Sequence, residues 1–115
     1  MNNTPSLSGA DDVFTVVDVM PEFPGGQSGL MGYLGSITYP DDALDNNWQG
    51  KVYLSFVIEK DGTISDVTVS RSSGYSVLDK AAVYHIETMP PWKPGIQNGK
   101  AVRVRYTLPM VFKLG

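Results

Sequence analysis

The single histidine, His85, is the side chain best suited to moving protons near neutral pH. As a metal ligand it would need a second imidazole or a thiolate, and the chain has no other His and no Cys. His85 falls on the apolar face of a helical pattern and reads as a partly buried structural residue. Gly26-Gln27-Ser28-Gly29 copies the start of a nucleophile elbow, but Leu30 stands where the second glycine is required and no strand leads directly into it. It reads as the start of a helix. Asp45, Asn47, Gln49 and Gly50 imitate the opening of a calcium loop, yet Phe56 occupies the place of the bidentate Glu. Gly25, Gly26 and Gly29 lack the spacing and preceding strand of a dinucleotide fingerprint. Asp41 and Asp42 are neighbouring carboxylates that nothing places opposite an acid or nucleophile, as in a solvated turn. No catalytic residue, metal ligand set or cofactor site emerges, and the chain reads as a non-enzyme.

The chemistry the sequence does offer is that of the backbone. From Lys100 to Leu114, Val102, Val104, Tyr106, Leu108, Met110 and Phe112 alternate with Ala101, Arg103, Arg105, Thr107, Pro109, Val111 and Lys113. Period two over this length specifies a long half-buried strand with one apolar and one basic, polar face. Pro109 has no N–H to give a neighbour, which marks an edge strand. Alternate residues direct N–H and C=O to the same side, so Ala101, Arg103, Arg105 and Thr107 share the edge of Pro109. An open edge of this kind can take a strand from another chain.

The elements that must hold this edge follow from punctuation and periodicity. Residues 1–12 are polar and turn-rich and read as a tail or linker; residues 13–115 read as one domain. Val13–Met20 is a candidate first strand, ended by Pro21-Glu22-Phe23-Pro24-Gly25-Gly26. A short helix fits Gln27–Leu34, and Pro40–Leu44 suits a helical turn with Pro40 at its first position. Lys51–Glu59 and Ile64–Ser70 flank an Asp61-Gly62 turn and form a hairpin. Ser76 serves as N-cap of a helix through Met89, stopped by Pro90-Pro91, after which Trp92 folds back as a core anchor in a Trp92–Gly95 turn. The fold class is α+β: an antiparallel sheet with helices packed on one face, in the order strand, helix, hairpin, helix, long edge strand.

Bulk properties agree. The 115 residues, 42% of them apolar, suffice for a core without staples. Nine Lys and Arg against twelve Asp and Glu give a net charge of −3, which disfavours nucleic acid as a partner. No apolar run approaches the ~20 residues of a membrane span and the first residues lack signal-peptide character, so the chain as given reads as soluble.

Pro21-Glu22-Phe23-Pro24-Gly25-Gly26, Tyr33-Leu34, Ile37-Thr38-Tyr39-Pro40, Gly50-Lys51-Val52, Phe56 to Gly62, Met89 to Gly95 and Tyr106-Thr107-Leu108-Pro109 follow one another in an order that closely resembles the TonB C-terminal domain family, in its Bacteroidetes form. The likeness runs from about Met20 to Leu114. It implies a periplasmic domain of an energy transducer whose N-terminal part is anchored in the inner membrane and joined to proton-driven motor proteins. Such a domain grips the TonB box of outer-membrane transporters by taking it as an added strand, which powers nutrient or siderophore uptake. By position, the resemblance assigns partner binding to Ala101, Val102, Arg103, Val104, Arg105, Tyr106 and Thr107, with Ser36, Thr38 and Tyr39 as a second contact region. It implies no cofactor and leaves a homodimer open. Where proteobacterial members carry Gln before the Tyr-Pro and a basic residue after it, this chain has Ser36, Ile37 and Thr38, then Asp41 and Asp42. A membrane-anchored peptidase or regulator carrying the same domain as a sensory or assembly module is the alternative parent.

Overall fold

Two long strands make the spine of the molecule, a computed structural model that describes residues 12–114. The tail expected over residues 1–12 lies outside that range except for Asp12. Strand β1 is Val13–Phe14, β2 Gly50–Ile58, β3 Ile64–Arg71, β4 Gly95–Gln97 and β5 Lys100–Phe112; helix α1 is Gly26–Gly35, α2 Asp41–Asp45 and α3 Ser76–Glu87. The strand order is β1-β5-β2-β3, with β4 paired to β5. β2 and β5 run antiparallel in unbroken register from Gly50 opposite Phe112 to Ile58 opposite Val104. The helices cover one face, where Leu30 of α1, Ala43 of α2 and Leu78, Ala82 and Ile86 of α3 join Val52, Leu54, Phe56 and Ile58 of β2 and Leu108, Met110 and Phe112 of β5 in the main core. This is the expected α+β arrangement, and it follows from period two on the strands meeting period 3.6 on the helices.

The hairpin turns at Asp61-Gly62 as expected, and its geometry explains the glycine. Gly62 has φ +88, and a Cβ there would lie 2.0 Å from the carbonyl oxygen of Trp92. Gly62 O accepts the Trp92 N–H at 2.9 Å, so the turn and the segment after α3 are tied together. Trp92 is only 4% exposed and meets Phe23, Phe56 and Tyr106 edge-on, the anchor that the sequence suggested. Gly29 is fixed as well: a Cβ there would stand 2.0 Å from Pro24 O, so a side chain would keep the Pro-Gly-Gly approach from closing onto the first turn of α1. The elbow-like Gly26–Gly29 run is thus the start of α1. His85 secures that helix to α3. Its ring stacks on Tyr33 with centroids 4.2 Å apart, its Nε2 donates to Tyr33 O at 2.7 Å, and Tyr33 Oη donates to His85 O at 2.7 Å.

Several expectations need correction. The first strand does not run to Met20: it ends at Phe14, and the chain bends so that Val17 packs with Val102 and Val104 in a small second core. Val19 then bridges Ile96 of β4, a short strand that begins at the last residue of the expected Trp92–Gly95 turn and that the sequence reading did not include. β4 and β5 are joined through Asn98 (φ 52) and Gly99 (φ 78), both left-handed, as a tight primed turn requires. Ser76 is the first helical residue of α3 and Tyr75 occupies the cap, its carbonyl accepting from Leu78 and Asp79. Asp79 faces backward instead, accepting from Ser72 Oγ, Ser73 N and Ser73 Oγ. α3 stops at Glu87, two residues early, because Thr88 turns its hydroxyl back onto Tyr84 O and His85 O.

Candidate functional site

The expected edge strand is an edge over only part of its length. β5 is paired with β4 from Lys100 to Val102 and, in parallel, with β1 at Arg103 and Val104. From Arg105 to Phe112 it has β2 on one side and, among the described residues, no strand on the other. Pro109 lies opposite Tyr53 inside the unbroken register. Since proline has no N–H, the ladder to β2 is complete only where Pro109 turns its nitrogen away from β2. Arg105, Thr107 and Val111 share that outward side by alternation. The open edge therefore offers N–H and C=O at Arg105, Thr107 and Val111, and C=O alone at Pro109.

The basic face of β5 is not free. Arg105 Nη1 donates to Ser55 Oγ at 2.9 Å and Nη2 to Asp66 Oδ2 at 2.7 Å. Asp66 reaches it from an irregularity in β3, where the register against β2 shifts and Asp66 takes φ 50. Arg103 Nε donates to Glu59 Oε1 at 2.8 Å, and Ser65 Oγ donates to the same carboxylate. The hydrogen bond from Arg103, then that from Ser65, holds Glu59 below its ordinary carboxylate value. With side chains 28% and 35% exposed, Arg103 and Arg105 are spent mainly on acids of the sheet. These guanidinium groups brace β5 against the β2–β3 hairpin.

The two sets of sequence-nominated residues sit at opposite ends of β5. Ser36, Thr38 and Tyr39 belong to the α1–α2 connection at the Phe112 end, with the Tyr39 ring edge-on to Phe112 at 5.5 Å and its hydroxyl bonded to Trp48 O. Ser36 Oγ donates to Tyr33 O at 2.7 Å and Thr38 is exposed. Thr107 is five residues from Phe112, about 17 Å along a strand. Ala101, Val102, Arg103 and Val104 lie farther still, under β4 and β1. Arg105, Tyr106 and Thr107 do reach the unpaired edge.

Between the two ends runs a groove of about 470 Å³, walled by α1 on one side and the open edge of β5 on the other. Leu30, Met31 and Leu34 face Tyr106 and Leu108 across it, with Pro109 and Val111 along the rim. Met31 is 59% exposed and Val111 55%. Neither was singled out in sequence, although Met31 next to the core position Leu30 is an apolar residue for which helical periodicity provides no core role. No charged side chain lines the groove. Among the described residues no group of three or more His, Asp or Glu is placed to hold a metal, and no helix is long and apolar enough to cross a membrane.

The Gram-negative bacterial TonB protein C-terminal family matches residues 36–114. The TonB protein of Pseudomonas putida is 27% identical over 117 aligned residues, which cover 98% of this chain and 47% of that protein. The TonB protein of Haemophilus influenzae is 36% identical over 73 residues, covering 61% of this chain and 27% of that protein. The chain thus spans less than half the length of these relatives. The solution structure of the Pseudomonas aeruginosa TonB C-terminal domain is similar with a TM-score of 0.57 and 27% identity, over 67% of this chain and 77% of that one. The Helicobacter pylori TonB C-terminal domain has the same fold, with a TM-score of 0.59 and 24% identity over 75% of this chain and 78% of that one. With a family match along most of its length and the same α+β architecture in two solved relatives, this chain belongs to the TonB C-terminal domain family.

Proposed function

We propose that the domain is the periplasmic end of a TonB-type energy transducer that binds the TonB box of outer-membrane transporters by strand addition. The observation that carries the proposal is the unpaired stretch of β5 from Arg105 to Phe112 beside an apolar groove. A docked strand opposite Arg105–Val111 gains ladder hydrogen bonds, each worth about 0.5–1.5 kcal/mol net. Backbone bonds are indifferent to side-chain identity, which suits one transducer serving several transporters. Nothing in this chemistry makes or breaks a covalent bond, so the domain acts as a coupling element and not as an enzyme. In the full-length protein an inner-membrane anchor and motor proteins would supply the pull.

Within this reading the docking residues are Arg105, Tyr106 and Thr107 together with Leu108 to Val111. Arg103 and Val104 join them only when β1 leaves the edge, Ala101 and Val102 only when β4 does, and Ser36, Thr38 and Tyr39 frame the far end. Titration of a TonB-box peptide against the 15N-labelled domain tests the proposal. The amides of Arg105, Thr107 and Val111 should shift most. Shifts confined to β3 and α3, with Arg105–Val111 unmoved, would overturn it.

A further inference from the structure

We infer that Val13 and Phe14 form a strap over the docking edge: seated, β1 closes the outward backbone of Arg103, and released, it lengthens the open edge from Arg105–Val111 to Arg103–Val111. This is a regulation of the site proposed above and rests on strand addition there. By the parity that Pro109 sets, the odd residues of β5 turn their N–H and C=O away from β2. β1 meets β5 in parallel, with Val13 opposite Arg103 and Phe14 opposite Val104. Ile58 of β2 already holds the other side of Val104, so β1 stands on the outward edge, directly before Arg105. A partner strand and β1 cannot both occupy the place beside Arg103.

The strap is weakly held, and the chain that follows it is not. β1 is two residues long, Val13 is 38% exposed, and a cavity of about 520 Å³ opens beside the Phe14 ring, lined also by Lys60, Gln97, Asn98 and Lys100. The ring is half-buried, packed on one side only against the second core of Val17, Val102 and Val104. Thr15 and Val16 come next and are exposed. From Val17 the chain is pinned. Val17 closes over Gly95, where a Cβ would stand 2.6 Å from Val104 Cγ2 and 3.2 Å from Val17 Cγ2. The Asp18 N–H donates to Gln97 Oε1 at 2.8 Å, Asp18 Oδ2 accepts from the Asn98 N–H at 3.0 Å, and Val19 exchanges backbone bonds with Ile96 at 3.0 and 2.8 Å. Thr15–Val16 is the hinge: β1 swings away while Val17 to Val19 keep the second core and β4 in place. A pull from the N-terminal side, as the proposed function has it, reaches β1 before any other described element and is stopped at Val17–Val19. The edge at Arg103 is then shut at rest and open under load, so a docked segment gains contacts as the pull begins.

Phe14→Gly in the full chain, titrated with capped peptides of alternating Ser and Val, tests the strap. A heptapeptide spans Arg105–Val111, and a nonapeptide of the same repeat reaches Arg103. Without the strap, Arg103 offers one N–H and one C=O more, which is about fivefold or more in Kd. The nonapeptide should exceed the heptapeptide by that factor on Phe14→Gly and shift the Arg103 amide. On the parent, where its extra bonds replace those of β1, the two peptides should agree within about twofold. Hydrogen exchange on the unaltered protein is an arm that no variant can spoil: the Phe14 and Arg103 amides should exchange about tenfold faster, or more, than those of Val19 and Ile96. The same length preference in both proteins, or Phe14 and Arg103 exchanging as slowly as Val19 and Ile96, overturns the strap. If it falls in this way while the amides of Arg105, Thr107 and Val111 still shift, strand addition stands. If neither peptide moves those amides, strand addition itself is wrong and the strap goes with it.

Discussion

Replacing Thr107 by proline, with Thr107→Ala as its partner, isolates the backbone contribution to docking. Thr107 is exposed, lies opposite Ser55 of β2 and is assigned an N–H on the open edge by the parity of Pro109. Thr107→Ala removes the side chain and keeps the N–H; Thr107→Pro removes both. Losing one ladder bond costs about 0.5–1.5 kcal/mol, and a partner carbonyl left without a donor adds to it, for a total of about 1–2 kcal/mol or about 5- to 30-fold in Kd. Pro109 already lacks a donor, so the proline variant would leave only Arg105 and Val111 donating, about 20 Å apart along the strand. Thr107→Ala should stay within about twofold of the parent, as surface changes do. Calorimetric titration of a TonB-box peptide measures both, with circular dichroism and the thermal midpoint recorded on each variant. Equal affinities would show that the ladder does not carry binding. A proline variant that unfolds would refute the parity, because the N–H of Thr107 would then belong to β2.

The remaining expectations concern the fold that holds the edge. Phe56→Ala and Trp92→Ala should each cost about 3–5 kcal/mol in urea denaturation, since both side chains are buried among aromatic and aliphatic neighbours; a loss under about 1 kcal/mol would mean that the core face is misassigned. Gly62→Ala should cost more than the ~1–2 kcal/mol of left-handed strain alone, because its Cβ also meets Trp92 O; a thermal midpoint equal to the parent's would disprove that clash. Glu59 is held below its ordinary value of 4.5 by Arg103 and Ser65. Asp79 is held below 3.8: burial raises it, but hydrogen bonds from Ser72 and Ser73 outweigh burial. Depressed carboxylates stabilise the fold above their unfolded values and lose that contribution as pH falls through the folded ones, so the thermal midpoint should hold from neutral pH to about pH 5 and decline below it. Glu59→Gln should lower stability at neutral pH and flatten the acid decline; an unchanged acid profile would exclude the Arg103 pair as its source.

What could be read in advance and what could not divides along locality. The alternation of Val102 to Phe112, the Asp61-Gly62 turn and the Leu78, Ala82, Ile86 stripe are local patterns, and each became the expected element. β4 is three residues long and too short for periodicity, and only Asn98-Gly99 between Gln97 and Lys100 gives a local hairpin signal for it. β1 against β5 is a parallel contact between residues ninety positions apart in sequence, and nothing near Val13 announces it. The pairing of Arg105 with Asp66 depends on a register shift in β3, again invisible in a single strand. Pro109 signalled an open edge correctly, but only the tertiary structure limits that edge to Arg105 onward and sets α1 beside it. The candidate site was legible as a strand and illegible as a groove, because the groove's other wall comes from a helix some seventy residues earlier in the chain.

That edge bears on how a pull would be carried under the proposed function. A strand docked along β5 and drawn along its axis loads the ladder bonds together in shear, and the load passes next to the bonds between β5 and β2. The second ladder is the longer of the two: it runs without a break from Gly50–Phe112 to Ile58–Val104. Its side chains Val104, Leu108, Met110 and Phe112 are also buried beneath the core, so stripping β5 from β2 would expose apolar surface as well as break bonds. A segment docked as proposed would be held over Arg105–Val111 only, with a missing donor at Pro109. Under a rising pull the segment therefore leaves before the domain opens. Arg103–Glu59 and Arg105–Asp66 fit the same asymmetry, since they tie β5 to the sheet behind it and contribute nothing to the partner in front. A transducer built this way would release its transporter with its own domain still folded.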